Sequence, residues 1–293
     1  MRSVDISVII PTYNRCEYLL QMIESIQLMR GVTFEIIIID DNSNDNTKES
    51  IARLGASNIK YLVNSSNMGC AFSRRKGYKL SKGEFIVFAD DDDFYTDFDF
   101  FHRGCKTLRD ESNLSLYAGS STTLEMETGI INEIILPFLG EFNGIEYLNN
   151  KFKQGGKPQS TFPTIFRKDS LDKAGFSTMK MMNDTAIYMR ALLEGDGYFD
   201  SNIVGAYRVH SSNISKCLTS DFILDNLNET KFVYEKCKTL LRPLDKKWLK
   251  DEYFSKVKYY FIFNSFKFAD WWKLSKWGGD KPLCNNGLCE VYG

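Results

Sequence analysis

The sequence predicts an α/β fold in which a mostly parallel sheet is flanked by helices. Short apolar runs recur roughly every 25–30 residues with helical patterns between them, which is the spacing of βαβ units. Continuous apolar runs of this kind are typical of strands that are buried on both faces. The predicted strands of the first half are 6–10, 34–39, 59–63 and 85–89.

The segments between these runs have the period of amphipathic helices. Leu19, Ile23 and Ile26 fall on one face of a helix predicted over residues 16–29. Pro11 is expected to end the first strand, because proline cannot donate to a sheet ladder. The other predicted elements are a basic helix over 70–81, a helix after 94, strands at 114–124 and 130–136, a helix from 184, and helices from 219 onward.

Three of the predicted strands end in polar side chains. Thr12 and Tyr13 follow the first, Asp40 and Asp41 the second, and four aspartates at 90–93 the fourth. Because the carboxyl ends of parallel strands share one edge, these side chains should line a single crevice. Adjacent carboxylates repel one another, and Mg²⁺ or Mn²⁺, which take oxygen ligands and bridge phosphates, would relieve that repulsion. The alternative is an acidic, solvated loop.

The side chains at these strand ends suit a nucleotide. An aromatic ring can stack on a base, a carboxylate can accept from a ring N–H, and Arg74 or Arg75 can bind phosphate. No G-x-G-x-x-G follows the first strand and no G-x-x-x-x-G-K-[ST] occurs, which disfavours dinucleotide dehydrogenases and P-loop NTPases. The net charge of -1 disfavours broad nucleic-acid binding.

Length and composition predict an ordinary globular protein. The 293 residues suffice for one large or two small domains, and 43% of them are apolar. The seven cysteines are scattered and lack a C-x-x-C, which favours reduced thiols; a bridge between Cys284 and Cys289 is the alternative. Without a signal peptide or an apolar run of about 18 residues, we expect a cytosolic chain with no membrane-spanning helix.

Four segments resemble the family 2 glycosyltransferases of the GT-A fold. They are residues 8–15 (VIIPTYNR), 39–45 (IDDNSND), 67–69 with Ser73 and Arg74, and 83–93 (GEFIVFADDDD), in the family's order and spacing. The resemblance implies an inverting transfer of a sugar from a nucleotide diphosphate, usually of uridine or thymidine. It also implies a nucleotide-sugar-binding half over 1–100, an acceptor half of the same domain over 101–217, and a C-terminal helical region with a tail over 218–293.

The resemblance assigns roles at the first two strand ends. Pro11, Thr12, Tyr13 and Arg15 would form the first nucleotide loop, with Tyr13 near the base. Asp41 would pair with the pyrimidine ring. Ordinary packing is the alternative for Tyr13, and a helix cap is the alternative for Asp41.

The third and fourth strand ends complete the implied nucleotide site. Asn67 and Arg74 would contact the nucleotide, although Arg74 could also lie on a solvated helix face. Asp90 and Asp92 match the two acids of the family's D-x-D signature, with Asp90 nearer the ribose and Asp92 as the metal ligand. Asp91 stands between them, where the family usually has a small residue, and is assigned to the nucleotide.

Two further positions in the second half carry the resemblance. Asn183 and Asp184 stand where the family usually has Glu-Asp, so Asp184 would be the general base; a helix cap is the alternative. Residues 204–215 resemble the family's Tyr-Arg-x-His strand, so His210 would be the second metal ligand. A histidine ligand makes Mn²⁺ at least as suitable as Mg²⁺. The turn at 155–158 would be a mobile acceptor loop.

The C-terminal region is rich in lysine and aromatic residues. Eight lysines lie between residues 243 and 277, interspersed with tryptophan, tyrosine and phenylalanine. Such a helical stretch can lie in a membrane interface, pack on the acceptor half, or form a homodimer contact. Residues 283–293 are expected to be a loose tail.

The resemblance therefore implies a metal-dependent inverting glycosyltransferase, with Mn²⁺ or Mg²⁺ and a UDP-hexose donor. Its acceptor would be a saccharide or lipid-linked saccharide of bacterial envelope polysaccharide synthesis, at the cytoplasmic face of the membrane. One alternative is a sugar-1-phosphate nucleotidyltransferase, although residues 11–14 lack the glycines typical of that class. Another is a nucleotide-sugar-binding module without turnover, against which Asp92, Asp184 and His210 argue.

Overall fold

A computed structural model describes residues 4–150, 156–210, 219–240, 243–245, 247–264 and 267–277. The chain forms two compact units, Met1–His210 and Ser211–Gly293. The predictions for Cys217, Cys284, Cys289 and the tail at 283–293 lie outside the described residues. So do Gly155 of the predicted turn and residues 211–215, which continue the segment that resembles the Tyr-Arg-x-His strand.

Strands and helices alternate through the first half of the larger unit. They are β1 (Ile6–Thr12), α1 (Cys16–Gln27), β2 (Phe34–Asp40), α2 (Thr47–Leu54), β3 (Ile59–Val63), α3 (Cys70–Leu80) and β4 (Phe85–Phe88). The four strands are parallel and lie in the order β3-β2-β1-β4. Val8 and Ile10 join one core with residues of α1, while Ile9 meets Gly77 of α3 on the other face.

Strand β1 continues through Pro11, so the prediction that Pro11 ends it is wrong. Pro11 pairs in register with Ile39. The carbonyl of Thr12 accepts from Asp41, directly after β2, and that of Ile9 accepts from Ala89, directly after β4. Alternate residues of β1 therefore face β2 and β4. Pro11 therefore faces the β4 side, where the pairing already ends at Ile9. Its missing N–H leaves no ladder hydrogen bond unmade.

The second half of this unit completes a mixed sheet. Its elements are β5 (Phe94–Tyr95), α4 (Phe100–Asp110), β6 (Leu114–Glu125), β7 (Ile131–Ile134), β8 (Gly140–Phe142), α5 (Gly144–Asn150), β9 (Thr164–Arg167), α6 (Lys168–Lys173), α7 (Asp184–Leu193) and β10 (Asp196–Val209). The sheet runs β3-β2-β1-β4-β9-β6-β10-β5, with β7 on β6 and β8 on β10. The predicted α/β fold is confirmed, but beyond β4 the sheet mixes parallel and antiparallel pairs.

Strand direction brings distant ends of the chain to one edge. Strand β9 is antiparallel to both β4 and β6, and β10 is parallel to β6, so β10 runs in the same direction as β4. His210, directly after β10, therefore lies at the same edge as the aspartates directly after β4. This edge is where ligands bind in open α/β sheets.

The smaller unit contains the predicted helices α8 (Ser220–Thr239), α9 (Trp248–Phe263) and α10 (Phe268–Ser275). Ile223, Leu227, Tyr253 and Leu274 form part of its buried core. Several large apolar side chains remain outside that core: Ile262 is 62% exposed, Phe268 67% and Trp272 50%. Within the described parts of the chain, no helix is both long enough and apolar enough to cross a membrane.

Candidate active site

Four consecutive aspartates follow β4, and three of them are buried. Asp91, Asp92 and Asp93 are 4%, 5% and 0% exposed, while Asp90 is partly exposed. Burying a carboxylate is costly unless it is paired and hydrogen-bonded. Each of these side chains accordingly has partners from other elements, and those partners define the site.

Arg15, directly before α1, binds two of the aspartates. Its Nη1 lies 3.1 Å from Asp91 Oδ1 and 2.6 Å from Asp92 Oδ2. Thr12 Oγ1 donates to the other oxygen of Asp91 at 2.7 Å. Even so, burial and the charge of Asp92 raise the pKa of Asp91 to about 7. Burial therefore disfavours the charged form of Asp91 in spite of these two partners.

Asp92 also meets His210, the other predicted metal ligand. Asp92 Oδ2 and His210 Nε2 are 2.9 Å apart, and the imidazole stacks on Tyr18 of α1 with ring centroids 5.8 Å apart. Adjacent ligands of an octahedral ion with bonds of about 2.0–2.1 Å are about 3 Å apart, so this pair fits Mg²⁺ or Mn²⁺. Among the described residues, no three His, Cys, Asp or Glu side chains are grouped to hold a metal. Further ligands would have to come from substrate or water.

Arg208 supports the aspartate turn from β10, a role that the sequence analysis missed. Its Nη1 donates to the carbonyl of Asp92 at 2.8 Å, and its backbone N–H donates to Asp93 Oδ1 at 3.2 Å. The guanidinium carbon lies 5.1 Å from the ring centre of Tyr18 and 4.4 Å from that of Phe94. The one available signal was its place beside His210 in the segment that resembles the family.

Arg74 of α3 joins the aspartate turn to α7. Its Nη2 lies 2.5 Å from Asp90 Oδ1, and its Nη1 lies 3.4 Å from Asp184 Oδ1. Nη1 also donates to the carbonyl of Met182 at 2.7 Å. The Arg74 side chain is 4% exposed, so it does not lie on a solvated helix face. One buried cation therefore sets the positions of two carboxylates that are far apart in sequence.

Asp184 is the first residue of α7, but Asn183 caps that helix. Asn183 Oδ1 accepts from the backbone N–H of Ala186 at 3.0 Å. The Asp184 side chain is 30% exposed and turns toward Arg74. Burial raises the pKa of Asp184 above its usual value, Arg74 opposes this, and the charge of Asp90 adds to it. A partly exposed carboxylate with a raised pKa, held beside the aspartate turn, suits proton transfer.

Lys157 is a second basic group near Asp184 that the sequence analysis did not single out. Its Nζ donates to the carbonyl of Pro158 at 3.2 Å. Burial lowers the pKa of Lys157, and the charge of Asp184 opposes that shift. No sequence motif marks this lysine, because its proximity to Asp184 depends on the fold.

Asp41 organises the loop after β3. Its carboxylate accepts from Asn64 Nδ2 at 2.8 Å and from the backbone N–H groups of Met68 at 2.8 Å and Gly69 at 2.6 Å. Asp45, rather than Asp41, binds the first residues of α1 and α2. Its carboxylate accepts hydrogen bonds from the backbone N–H groups of Cys16 and Thr47.

The structure brings some of the predicted residues into contact and leaves others around them. Thr12, Arg15, Asp91, Asp92 and His210 form one connected cluster, and Asp90, Arg74 and Asp184 form a second that adjoins it through the aspartate turn. The others surround these clusters: Pro11 is buried in β1, Asp41 is buried beneath its loop, Tyr13 is 45% exposed after β1, and Asn67 is exposed after β3.

A family comparison agrees with this architecture. The sequence profile of Glycosyl transferase family 2 matches residues 7–175, which is more than half of the chain. The chain belongs to glycosyl transferase family 2. The predicted family and enzyme class are confirmed, and the matched range includes the site residues from Pro11 to Pro158 but not those from Met182 to His210.

Several relatives of this glycosyltransferase have descriptive names. It is 27% identical over 212 residues to a GalNAc(5)-diNAcBac-PP-undecaprenol beta-1,3-glucosyltransferase of Campylobacter jejuni, which covers 70% of this chain and 64% of that protein. It is 23% identical over 296 residues to the poly(ribitol-phosphate) beta-N-acetylglucosaminyltransferase TarP of Staphylococcus aureus, covering 98% and 71%. This chain therefore spans less than two thirds of the Campylobacter protein.

Solved structures share the fold. TarS 1-349 of S. aureus in complex with UDP-GlcNAc superposes with a TM-score of 0.69 at 17% identity, covering 93% of this chain and 80% of that one. The mannosyltransferase PcManGT of Pyrobaculum calidifontis, in complex with GDP-Man and Mn²⁺, gives 0.56 at 12% identity, covering 93% and 72%. The predicted GT-A architecture is confirmed.

Proposed function

We propose that this glycosyltransferase moves a hexose from a UDP-sugar to a hydroxyl of a saccharide acceptor, with inversion and with a divalent metal ion. The observation that supports this best is the Arg74 bridge, which joins Asp90 of the aspartate turn to Asp184 of α7. A donor diphosphate at the turn would therefore lie beside a carboxylate able to activate the acceptor. UDP is favoured because a structural neighbour was solved with UDP-GlcNAc.

On the donor side, Asp92 and His210 would hold the ion, Mn²⁺ or Mg²⁺. When bound, such an ion neutralises the charge that develops on the leaving diphosphate. Tyr13, which is exposed after β1, is suited to stack on the base. Asp41 accepts three hydrogen bonds, and a carboxylate has about four acceptor sites, so one remains for a ring N–H.

Five neighbouring residues would complete the donor site. Pro11 and Thr12 would shape the loop, Asn67 and Asp91 would contact the nucleotide, and Asp90 would lie toward the ribose. Of these, Thr12 already fixes Asp91 through a 2.7 Å hydrogen bond, which keeps one carboxylate in a single orientation. Such fixed geometry reduces the ordering that donor binding requires.

On the acceptor side, Asp184 would remove the proton as the hydroxyl attacks the anomeric carbon. Sugar hydroxyls have a high pKa, so attack at neutral pH needs a positioned base. Burial raises the pKa of Asp184, which makes it a better proton acceptor than a free aspartate. Arg74 would hold the carboxylate toward the acceptor, and attack opposite the leaving group would invert the anomeric centre.

The test is a panel of nucleotide sugars assayed for hydrolysis and transfer, with Mn²⁺, with Mg²⁺ and with excess chelator. We expect one UDP-sugar to be turned over only with metal present. Full activity in excess chelator would refute the metal role. Synthesis of a nucleotide sugar from a sugar 1-phosphate would favour the nucleotidyltransferase alternative, and donor binding without any turnover would favour a binding module.

We propose that the acceptor is a lipid-linked saccharide of envelope polysaccharide synthesis. The enzyme would bind it at the cytoplasmic face of the membrane. The Campylobacter relative is named for an undecaprenol-linked substrate. Phe268 and Trp272 are exposed on α10, and Lys276 Nζ lies 4.3 Å from the ring centre of Trp272. Aromatic rings with nearby lysines favour an anionic membrane surface.

Vesicle flotation tests this setting at low and moderate salt. We expect binding to anionic vesicles that weakens with salt and with Trp272→Ala. Absence of binding at low salt would exclude a membrane role for α10. If the parent has the mass of a dimer in solution and Trp272→Ala has the mass of a monomer, α10 would instead form a homodimer contact.

A further inference from the structure

Arg15 occupies the oxygen that a metal ion would need. Asp92 Oδ2 lies 2.6 Å from Arg15 Nη1 and 2.9 Å from His210 Nε2. Arg15 Nη1 also lies 3.1 Å from Asp91 Oδ1, so the guanidinium bridges two neighbouring carboxylates. All of these groups except Arg15 are at least nine-tenths buried, and Arg15 has a 22% exposed side chain.

The two donors at Asp92 Oδ2 are not equivalent toward a metal ion. A carboxylate oxygen has two lone-pair sites, and both are directed at a donor here. A neutral imidazole can itself become a ligand through Nε2, whereas a guanidinium stays protonated and has no lone pair to offer. A cation that binds Oδ2 can therefore share the site with His210 but has to compete with Arg15.

We propose that Arg15 is the internal counter-cation of this site, a positioning residue that holds Asp91 and Asp92 until metal and nucleotide bind together. This rests on the proposed function, in which Asp92 and His210 are the metal ligands. Arg15 keeps two buried, adjacent carboxylates paired in the free enzyme, where their mutual repulsion would otherwise be unrelieved. The same contact lowers the affinity of the free enzyme for the ion.

The donor diphosphate changes this balance in two ways. Its oxygens offer Arg15 a new anionic partner, and arginine binds phosphate well, often through two parallel hydrogen bonds. Its oxygens can also complete the shell of the ion, for which the described residues offer two ligands. Arg15 can leave Asp92 for phosphate while the ion takes Asp92, so metal and nucleotide should bind with positive coupling. Coupling is reciprocal, so each ligand should raise the affinity for the other by the same factor.

The experiment titrates Mn²⁺ into the purified full chain and follows free Mn²⁺ by electron paramagnetic resonance, with and without UDP. The parent should bind Mn²⁺ weakly alone and more tightly with UDP, by roughly 5–150-fold, the usual range of such coupling. Arg15→Met should bind Mn²⁺ about tenfold more tightly than the parent without UDP, and its coupling factor should fall toward one. A simple nucleotide-binding arginine predicts no gain in metal affinity.

Arg30→Met is the matched control for charge. Arg30 and Asp99 form an exposed pair 3.8 Å apart, with side chains 67% and 55% exposed, outside the aspartate turn. Arg30→Met removes the same charge as Arg15→Met, but it does so outside the aspartate turn. The Mn²⁺ affinity of Arg30→Met should therefore equal that of the parent. Equal gains in both variants would mean that net charge alone is responsible, and the proposal would be wrong.

Arg15→Lys guards against a variant that does not fold. It retains the charge but loses the planar guanidinium, so its metal affinity should lie between those of the parent and Arg15→Met. The parent adds a check that needs no variant, because Mn²⁺ affinity that does not change with UDP would refute the coupling.

Failure of this proposal can be told apart from failure of the proposed function. If the parent binds no Mn²⁺ even with UDP, or keeps full activity in chelator, the metal assignment itself is wrong. If the parent binds Mn²⁺ with UDP and Arg15→Met gains nothing without it, the metal assignment stands and Arg15 is not the competing cation.

Discussion

The two edges of the sheet in the larger unit handle charge in opposite ways. At the amino edge, before β1 and β4, Arg109 Nη2 lies 2.5 Å from Asp5 and 2.6 Å from Glu84, and all three side chains are partly exposed. At the carboxyl edge, Asp91 and Asp92 are buried and share Arg15. One edge carries solvated ion pairs, and the other concentrates carboxylates out of water.

The pKa shifts run in opposite directions at these edges. Partial burial alone would raise the pKa of Asp5, but hydrogen bonds from Thr33 and Arg109 hold it below its usual value. Burial raises the pKa of Asp91 to about 7 and also raises that of Asp184. A lowered pKa means that the fold favours the charge, and a raised one means that the fold opposes it. The carboxyl edge therefore has the electrostatic character of a functional site, in line with the proposed function.

The largest effect that this comparison predicts is at Asp184. Asp184→Asn keeps the shape but cannot take a proton, so turnover should fall by about 10²–10⁴-fold with UDP affinity nearly unchanged. A base has to be deprotonated to act, so turnover of the parent should rise with pH on the acidic side of its pH profile. Because the pKa of Asp184 is raised, the midpoint of that rise should lie above pH 3.8. Turnover and UDP affinity are measured on the same variant. Parental turnover would place the base elsewhere.

Asn183→Ala serves as the partner variant for Asp184→Asn. It removes the cap of α7, so it should cost roughly 1 kcal/mol of the free energy of unfolding while retaining most of the turnover. Urea unfolding and turnover together separate capping from catalysis. A turnover loss at Asn183→Ala as large as that at Asp184→Asn would show that helix placement, not proton transfer, is what matters.

The next effect concerns the metal ligands. Asp92→Asn should remove the metal-dependent part of UDP binding, a loss larger than the roughly 10–100-fold typical of residues that only support a ligand. UDP titration calorimetry with Mn²⁺ and with chelator measures it. Affinity that stays metal-dependent in Asp92→Asn would exclude Asp92 as a ligand.

A smaller effect is predicted for Arg208, which supports the aspartate turn from β10. Arg208→Met removes the hydrogen bond to the Asp92 carbonyl and should weaken Mn²⁺ binding in the presence of UDP by roughly tenfold. Gln21→Ala, which removes only an acceptor of Arg208, should have a lesser effect in the same direction. An unchanged Mn²⁺ affinity in Arg208→Met would limit Arg208 to packing between Tyr18 and Phe94.

The smallest effect is predicted at the amino edge. Arg109→Ala should lower the free energy of unfolding at pH 7 by about 1 kcal/mol or less, as for exposed ion pairs, and leave turnover unchanged. The pKa of Asp5 is below its usual 3.8, so its contribution is present above that pH and is lost as the pH falls through the folded value. Urea unfolding of parent and variant at neutral and acidic pH measures this. A loss of turnover would contradict the contrast between the edges.

The sequence by itself determined the first four strands of the sheet and most of the residues of the candidate site. The runs at β1 to β4 and the periods of α1 and α3 are local patterns, and local patterns are what a sequence displays directly. Pro11 was misjudged because its tolerance depends on where β4 ends, which is a matter of sheet pairing. The two-residue β5 and three-residue β8 were missed because both exist through their pairing with β10.

Only the tertiary structure decided which partner each charged group has. Asn183 and Asp184 are neighbours with equal aptitude for capping, and the choice between them follows from Arg74, more than a hundred positions away in the chain. Arg208 reaches the Asp92 carbonyl because β9 and β6 set β10 parallel to β4. Arg15 reaches the Asp92 carboxylate because β1 and β4 are parallel neighbours. A motif names the groups of a site, but distances and burial determine how those groups compete, since electrostatic energies depend on both.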